Sequence, residues 1–228
     1  PGFAEALRLH LVEASPHLRA EQETRLPTAT WHDRVGDLPE GPLFLVANEF
    51  LDALPIRQFQ RDGGGWRERV VGLTDGRLAL GLSAPAPLAD LRDRLDDTHD
   101  GDIVETCPLL APIVGEVGQR IAESGGAALF IDYGGWRSLG DTLQAVQDHA
   151  PADPFAAPGL ADLTAHVDFE AVAHAAAPAR HSRLTPQGVF LERLGITARA
   201  RALATRLAGA DTASATTLED IFYGASEM

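Results

Sequence analysis

The sequence predicts an α/β fold: an open, mostly parallel sheet flanked by helices and interrupted by an inserted β-hairpin and helical subdomain. Three observations carry this expectation. Strand and helix patterns alternate over Leu7–Leu26 and again over Pro108–Ile131. Pro42–Val46 and Ala127–Ile131 are short continuous apolar runs, the pattern of strands covered on both faces. Each run then stops in polar residues, Asn48-Glu49 and Asp132-Tyr133, at the strand ends where open α/β sheets hold ligands.

The elements follow in order. Leu7–Val12 is a β-capable run closed by Glu13, and Ser15-Pro16 supplies an N-cap followed by proline at the first helical position, opening a helix to about Leu26. A short strand around Thr30-Trp31 ends at His32-Asp33, and the Pro42–Val46 strand runs into Asn48-Glu49. Beyond Pro55, Arg57–Arg61 and Trp66–Leu73 flank Asp62-Gly63-Gly64-Gly65 as a β-hairpin. Asp75-Gly76 marks a further turn, and the proline-rich Ser83–Pro87 precedes a charged helical stretch, Leu88–Asp96.

Ile103–Glu105 reads as a brief strand, Pro108–Glu123 as a helix stopped by Gly125-Gly126, and Ala127–Ile131 as a strand. Helices are expected over Asp168–Ala177 and Pro186–Leu207, the second broken near Gly195, with a loop at Asp153–His166. Residues 1–56 and 101–228 therefore form the expected core with its C-terminal helices, and 57–100 the insertion.

Composition narrows the function. The chain has 228 residues with 45% hydrophobic content, enough for a substantial core. A formal charge of -14 repels polyphosphate, so a nucleic-acid partner is not expected and a cationic one is easier to accommodate. All 19 basic residues are arginine, a bias that suggests a GC-rich bacterial genome. No run of about eighteen apolar residues and no signal-peptide pattern occurs, so the expected setting is cytoplasmic, away from a membrane. One cysteine, Cys107, rules out an intrachain disulfide and a multi-thiolate metal site.

Glu13 ends its strand where a carboxylate in a nucleotide-binding fold accepts both hydrogens of a ribose diol; the alternative is a helix-entry acid favoured by the helix dipole. Asp33 has a similar place one strand later, suited to an adenine amino group or simply to a turn. Asn48 and Glu49 follow four apolar residues and must find partners or water, which favours ligand contact over a network holding the next turn. Asp52 reads as an N-cap or Asx-turn residue of that turn. Asp132-Tyr133-Gly134 ends its strand in the same way. Trp66 and Trp136 lie near turns, where packing is the commoner role and cation binding the rarer one. Asp162, His166 and Asp168 match no compact metal motif, so no metal is expected.

In this order, Leu11-Val12-Glu13-Ala14-Ser15-Pro16, Trp31-His32-Asp33, Ala47-Asn48-Glu49-Phe50-Leu51-Asp52-Ala53-Leu54-Pro55, Gly65-Trp66-Arg67-Glu68-Arg69-Val70-Val71 and Ile131-Asp132-Tyr133-Gly134 resemble the MidA-type family of S-adenosylmethionine-dependent methyltransferases. Gly140-Asp141-Thr142-Leu143-Gln144-Ala145, the Pro158–Phe169 stretch and Gln187–Gly195 are similar to the same family. The resemblance implies a Rossmann-like class I methyltransferase sheet with S-adenosyl-L-methionine as cofactor. It also implies a protein substrate presenting an arginine, since mitochondrial members are protein arginine methyltransferases that assist assembly of respiratory complex I.

By that resemblance Glu13 and Ala14 would meet the ribose and His32 and Asp33 the adenine. Asn48 would face both cofactor and acceptor, and Glu49 and Asp52 would serve the acceptor guanidinium. A bacterial member would be cytoplasmic, a eukaryotic one would lie in the mitochondrial matrix, and a homodimer is compatible with the family. Family members carry a strand and a Gly-x-Gly-x-Gly loop just upstream of the Leu7–Glu13 segment, and a closing strand after a Met-Gly pair. Neither lies between Pro1 and Met228, so a fragment of a longer chain holding part of the cofactor site is expected, and a noncatalytic assembly or interaction module is the alternative to an enzyme.

Overall fold

The computed structural model describes residues 2–208. By contacts the chain forms two compact units, residues 1–181 and residues from 182 onward. In the first, a short helix α1 (Phe3–Ala6) precedes β1 (His10–Val12). The strand expected from Leu7 thus starts only at His10, because its partner offers just three residues. Helix α2 (Pro16–Arg25) opens as its sequence dictates: Ser15 Oγ accepts the Leu18 N–H, and Pro16 occupies the first turn, where a missing N–H costs nothing. Strand β2 (Thr30–His32) then pairs in parallel with β1, placing His10 opposite Thr30 and Val12 opposite His32.

A 3-10 turn at Val35–Asp37 leads into β3 (Leu43–Asn48). The next four strands build an antiparallel sheet of order β6-β5-β4-β7: β4 (Arg57–Asp62), β5 (Gly65–Thr74), β6 (Arg77–Leu82) and β7 (Ile103–Thr106). The β4–β5 turn is Gly63-Gly64, and the β5–β6 turn is Asp75-Gly76, with φ of 51° and 77°. Two left-handed residues in succession match the twist of a hairpin. Strand β6 was not foreseen, although Leu78, Leu80 and Leu82 alternate along it. Strand β7 pairs with β4, so this sheet reaches beyond residue 100 into the stretch expected to resume the core. Between β6 and β7 the expected helix takes 3-10 form over Ala89–Leu95 and closes an apolar cluster of Phe59, Trp66, Leu91 and Val104.

Helix α3 (Leu110–Ser124) ends at Gly125, whose φ of 80° reverses the chain into β8 (Gly126–Ile131). Strand β8 pairs with β3 in parallel along its whole length, Leu43 opposite Gly126 and Asn48 opposite Ile131. Contrary to the expectation of two covered faces, β3 alternates: Leu43, Leu45 and Ala47 are half-buried, whereas Phe44 and Val46 are 81% and 72% exposed. Helix α3 covers only one side of the β3–β8 ribbon.

Short strands follow. The pair β9 (Gly134–Gly135) and β13 (Val167–Asp168) is parallel, while β10 (Gln144–Gln147), β11 (Ala150–Ala152) and β12 (Asp162–Thr164) form an antiparallel sheet, β12 falling within the stretch Asp153–His166 expected as loop. Helix α4 (Phe169–Ala175) is capped by Asp168, whose Oδ1 accepts the Ala171 N–H at 2.9 Å. It packs on α3 around a core of Leu51, Leu110, Val114, Val167 and Val172. Arg120 on α3 donates to the carbonyls of Gly36, Leu38 and Pro39 at 3.0–3.1 Å, fastening the segment between β2 and β3 to the helix. The second unit contains α5 (Gln187–Arg193) and α6 (Ile196–Ala208), separated as expected at Gly195. Among the described residues no helix is long and apolar enough to cross a membrane.

Candidate functional site

The expected site residues fall into two groups, each at the carboxyl end of a parallel strand pair. The first is built by β1 and β2. The Glu13 N–H continues the ladder to His32 O at 3.0 Å, so Glu13 and His32 stand side by side, with Ala14 exposed just beyond. The Glu13 carboxylate is held from behind: Oε1 accepts the Ser15 N–H at 2.8 Å and Oε2 accepts Gln22 Nε2 at 3.0 Å. Gln22 is itself set by Trp31, whose Nε1 donates to its Oε1 at 2.9 Å. A carboxylate offers about four acceptor positions and these contacts use two, so the remaining two fit a vicinal diol. His32 Nε2 lies 2.9 Å from His10 Nδ1, with the rings 5.1 Å apart. Asp33 is exposed and paired with Arg19 at 3.2 Å.

The second group lies at the ends of β3 and β8. Asn48 is exposed, and the Glu49 N–H reaches Ile131 O at 2.9 Å. Glu49 has φ of 48°, in the left-handed region that non-glycine residues seldom occupy. Asp132, at the end of β8, receives the next turn: its Oδ2 accepts the N–H groups of Phe50, Leu51 and Asp52. Tyr133 donates its hydroxyl to Glu49 Oε1 at 3.3 Å. Asp52 is 5% exposed, and its Oδ1 is buried without a hydrogen-bond partner.

Negative charge is concentrated here. Burial, then the charges of Asp132 and Glu49, hold the Asp52 carboxyl above the usual carboxylate range. The charge of Glu49 is the largest cause raising the Tyr133 phenol, followed by burial. Acidic side chains crowded at one strand end, one with a buried unsatisfied oxygen, suit a planar cation with several N–H donors. The Asp52 carboxyl is enclosed beside two other acids and also accepts from the Ala53 backbone, so its turn role stands alongside this arrangement. Asp132 is the residue whose role was missed.

The two groups sit on separate ladders: β1–β2 and β3–β8 are each two-stranded. The other candidates have contacts of their own. Trp66 is 1% exposed in the core of the antiparallel sheet, with the Arg61 guanidinium 5.7 Å from its ring. Trp136 is 44% exposed, with its ring 6.3 Å from that of His181. Asp168 caps α4 and also accepts the Ser138 N–H, while the His166 N–H donates to Thr142 Oγ1. Among the described residues no cluster of three or more His, Cys, Asp or Glu is arranged to hold a metal ion.

Comparison with known proteins gives a consistent pattern. A family model described as "Putative S-adenosyl-L-methionine-dependent methyltransferase" matches residues 1–187. The human protein arginine methyltransferase NDUFAF7, mitochondrial, is 38% identical over 179 residues, covering 76% of this chain and 40% of the relative. The Xenopus laevis counterpart is 34% identical over 226 residues, covering 86% and 51%. The chain thus spans about half the length of the curated relatives it matches. A Burkholderia thailandensis crystal structure bound to S-adenosyl-homocysteine superposes with a TM-score of 0.69 at 32% identity, covering 86% of this chain and 55% of that one. A second, native crystal structure from the same organism gives 0.72 at 30% identity, covering 93% and 60%.

Proposed function

The chain belongs to the MidA-type family of S-adenosyl-L-methionine-dependent methyltransferases, and from that premise we propose that it acts in methyl transfer to an arginine nitrogen of a protein substrate. The observation that carries the acceptor assignment is the convergence of Glu49, Asp52, Asp132 and Tyr133 at the ends of β3 and β8, with the buried Asp52 Oδ1 unpaired. A net charge of -14 favours approach of a cationic segment.

In this reading Glu13 holds the ribose diol with the acceptor positions left free by Ser15 and Gln22, and Ala14 borders it. His32 and Asp33 flank the adenine. When bound, S-adenosyl-L-methionine supplies a methyl group activated by its sulfonium. Glu49 pairs with the guanidinium and fixes its plane, while Asn48, exposed at the end of β3, aligns the acceptor through its side-chain oxygen. Attack by nitrogen releases a proton, and Asp52, whose carboxyl is held above the usual carboxylate range by burial, is suited to receive it.

The relatives named mitochondrial support a mitochondrial setting in a eukaryote; the matrix and a role beside complex I assembly come from the family resemblance alone. A bacterial bearer would use the protein in its cytoplasm, as a monomer or homodimer. In the alternative reading, a noncatalytic module, the Gln58–Leu73 hairpin would hold a partner. A noncatalytic assembly module is favoured by one observation, the division of the cofactor and acceptor groups between separate ladders. Calorimetric titration with S-adenosyl-L-methionine separates the two readings. Saturable binding that weakens in Glu13→Gln is expected of the enzyme, and a folded chain giving no heat of binding would favour the scaffold or a chain holding only part of the cofactor site.

A further inference from the structure

Four backbone N–H groups converge on one carboxylate. Asp132 Oδ2 accepts from Phe50, Leu51 and Asp52 at 3.2, 2.9 and 3.3 Å, and Oδ1 accepts from Tyr133 at 2.9 Å. The geometry begins at Glu49. Its left-handed φ of 48° ends the β3 ladder and swings the following N–H groups toward one point, the arrangement that makes an anion-binding nest. In this protein the anion is its own side chain, delivered from the end of the neighbouring strand by the Asn48–Ile131 register.

Without that carboxylate, three convergent donors would lose their partner and the strained conformation at Glu49 would lose its support. Tyr133 adds a second constraint, since its hydroxyl occupies Glu49 Oε1 and leaves Oε2 for another donor. We infer that Asp132 is a positioning residue of the acceptor site, holding the Phe50–Asp52 turn so that Glu49 presents its carboxylate in one orientation, with Tyr133 fixing one of its oxygens. This rests on the reading of Glu49 as the partner of an arginine guanidinium.

The test measures amide exchange and ligand affinity together in wild type, Asp132→Ala, Asp132→Asn and Tyr133→Phe, with Nα-acetyl-arginine amide as the probe. In Asp132→Ala the Leu51 amide should exchange at least about tenfold faster and the probe bind about tenfold more weakly, while affinity for S-adenosyl-L-methionine stays within about threefold. Asp132→Asn, which keeps one acceptor oxygen, should lie between wild type and Ala in both readouts. Tyr133→Phe should leave Leu51 exchange unchanged and weaken the probe by about threefold.

Unchanged Leu51 exchange in Asp132→Ala, or faster exchange with unchanged probe affinity, overturns the inference. If the Ala variant does not fold, Asp132→Asn decides by the same two readouts. A wild-type chain that does not bind the probe counts against Glu49 as the guanidinium partner. Asp132 is then judged by Leu51 exchange and by whether the Glu49 carboxyl carbon resonance shifts in Asp132→Asn, a static resonance with unchanged exchange sinking the role.

Discussion

Tyr133 donates its hydroxyl to Glu49 Oε1 at 3.3 Å, tying the end of β8 to the end of β3. The contact bears on the ionisation of Tyr133. Negative charge on Glu49 disfavours a phenolate beside it, so Tyr133 should ionise above the ordinary phenol. Ultraviolet titration should show one tyrosine with a raised pKa, and Glu49→Gln should bring it back toward the ordinary value. A Tyr133 that titrates identically in both proteins would show that the two groups do not interact in solution.

Asp52 should cost stability when ionised. Its folded-state pKa lies above the unfolded 3.8, so in the window from 3.8 upward the native chain binds more protons than the unfolded one. Stability therefore falls as pH rises through that window. Asp52→Asn should be more stable than wild type at neutral pH, with a flatter profile through the window, while binding arginine less well. Denaturant melts at a series of pH values check this, and a variant less stable than wild type at neutral pH would argue against it.

On the cofactor side, Glu13→Gln replaces a charged acceptor by a neutral amide and should weaken S-adenosyl-L-methionine binding by about tenfold or more. Gln22→Ala leaves the charge but removes its support and the partner of Trp31, and a smaller loss of about threefold is expected. Equal affinities for wild type and both variants would remove Glu13 from the cofactor site.

Packing gives a prediction independent of function. A Cβ on Gly118 would lie 2.1 Å from the Ala176 carbonyl oxygen, where α3 meets the end of α4. Gly118→Ala should destabilise the chain by about 1–3 kcal/mol through overpacking, despite alanine's higher helix propensity. Thermal melts decide this, and an unchanged or raised melting temperature would mean the helices separate without cost.

Much of the frame was legible because its causes are local. Ser15-Pro16 and Asp168 announced their helix starts through side chains that bond N–H groups three residues on, and the apolar runs before Asn48 and Asp132 located the parallel pair β3–β8. What escaped depends on distant partners. The Leu7–Val12 run could not reveal that β2 offers only three partners, nor could Leu43–Asn48 show that Phe44 and Val46 would face outward. The two- to four-residue strands β9 to β13 are too short for periodicity to register. Asp132 was legible as a strand-end acid, but its use for the N–H groups of Phe50–Asp52 follows only once β3 and β8 lie side by side.

The most direct measurement is mass spectrometry of an arginine-containing acceptor peptide incubated with S-adenosyl-L-methionine and either wild type or Glu49→Gln. Wild type should add a methyl group to the guanidinium, and Glu49→Gln should lower that rate by at least about tenfold while melting within a few degrees of wild type. Methylation at equal rates by both proteins, or loss of rate matched by loss of fold, would contradict the assignment of Glu49 to the acceptor.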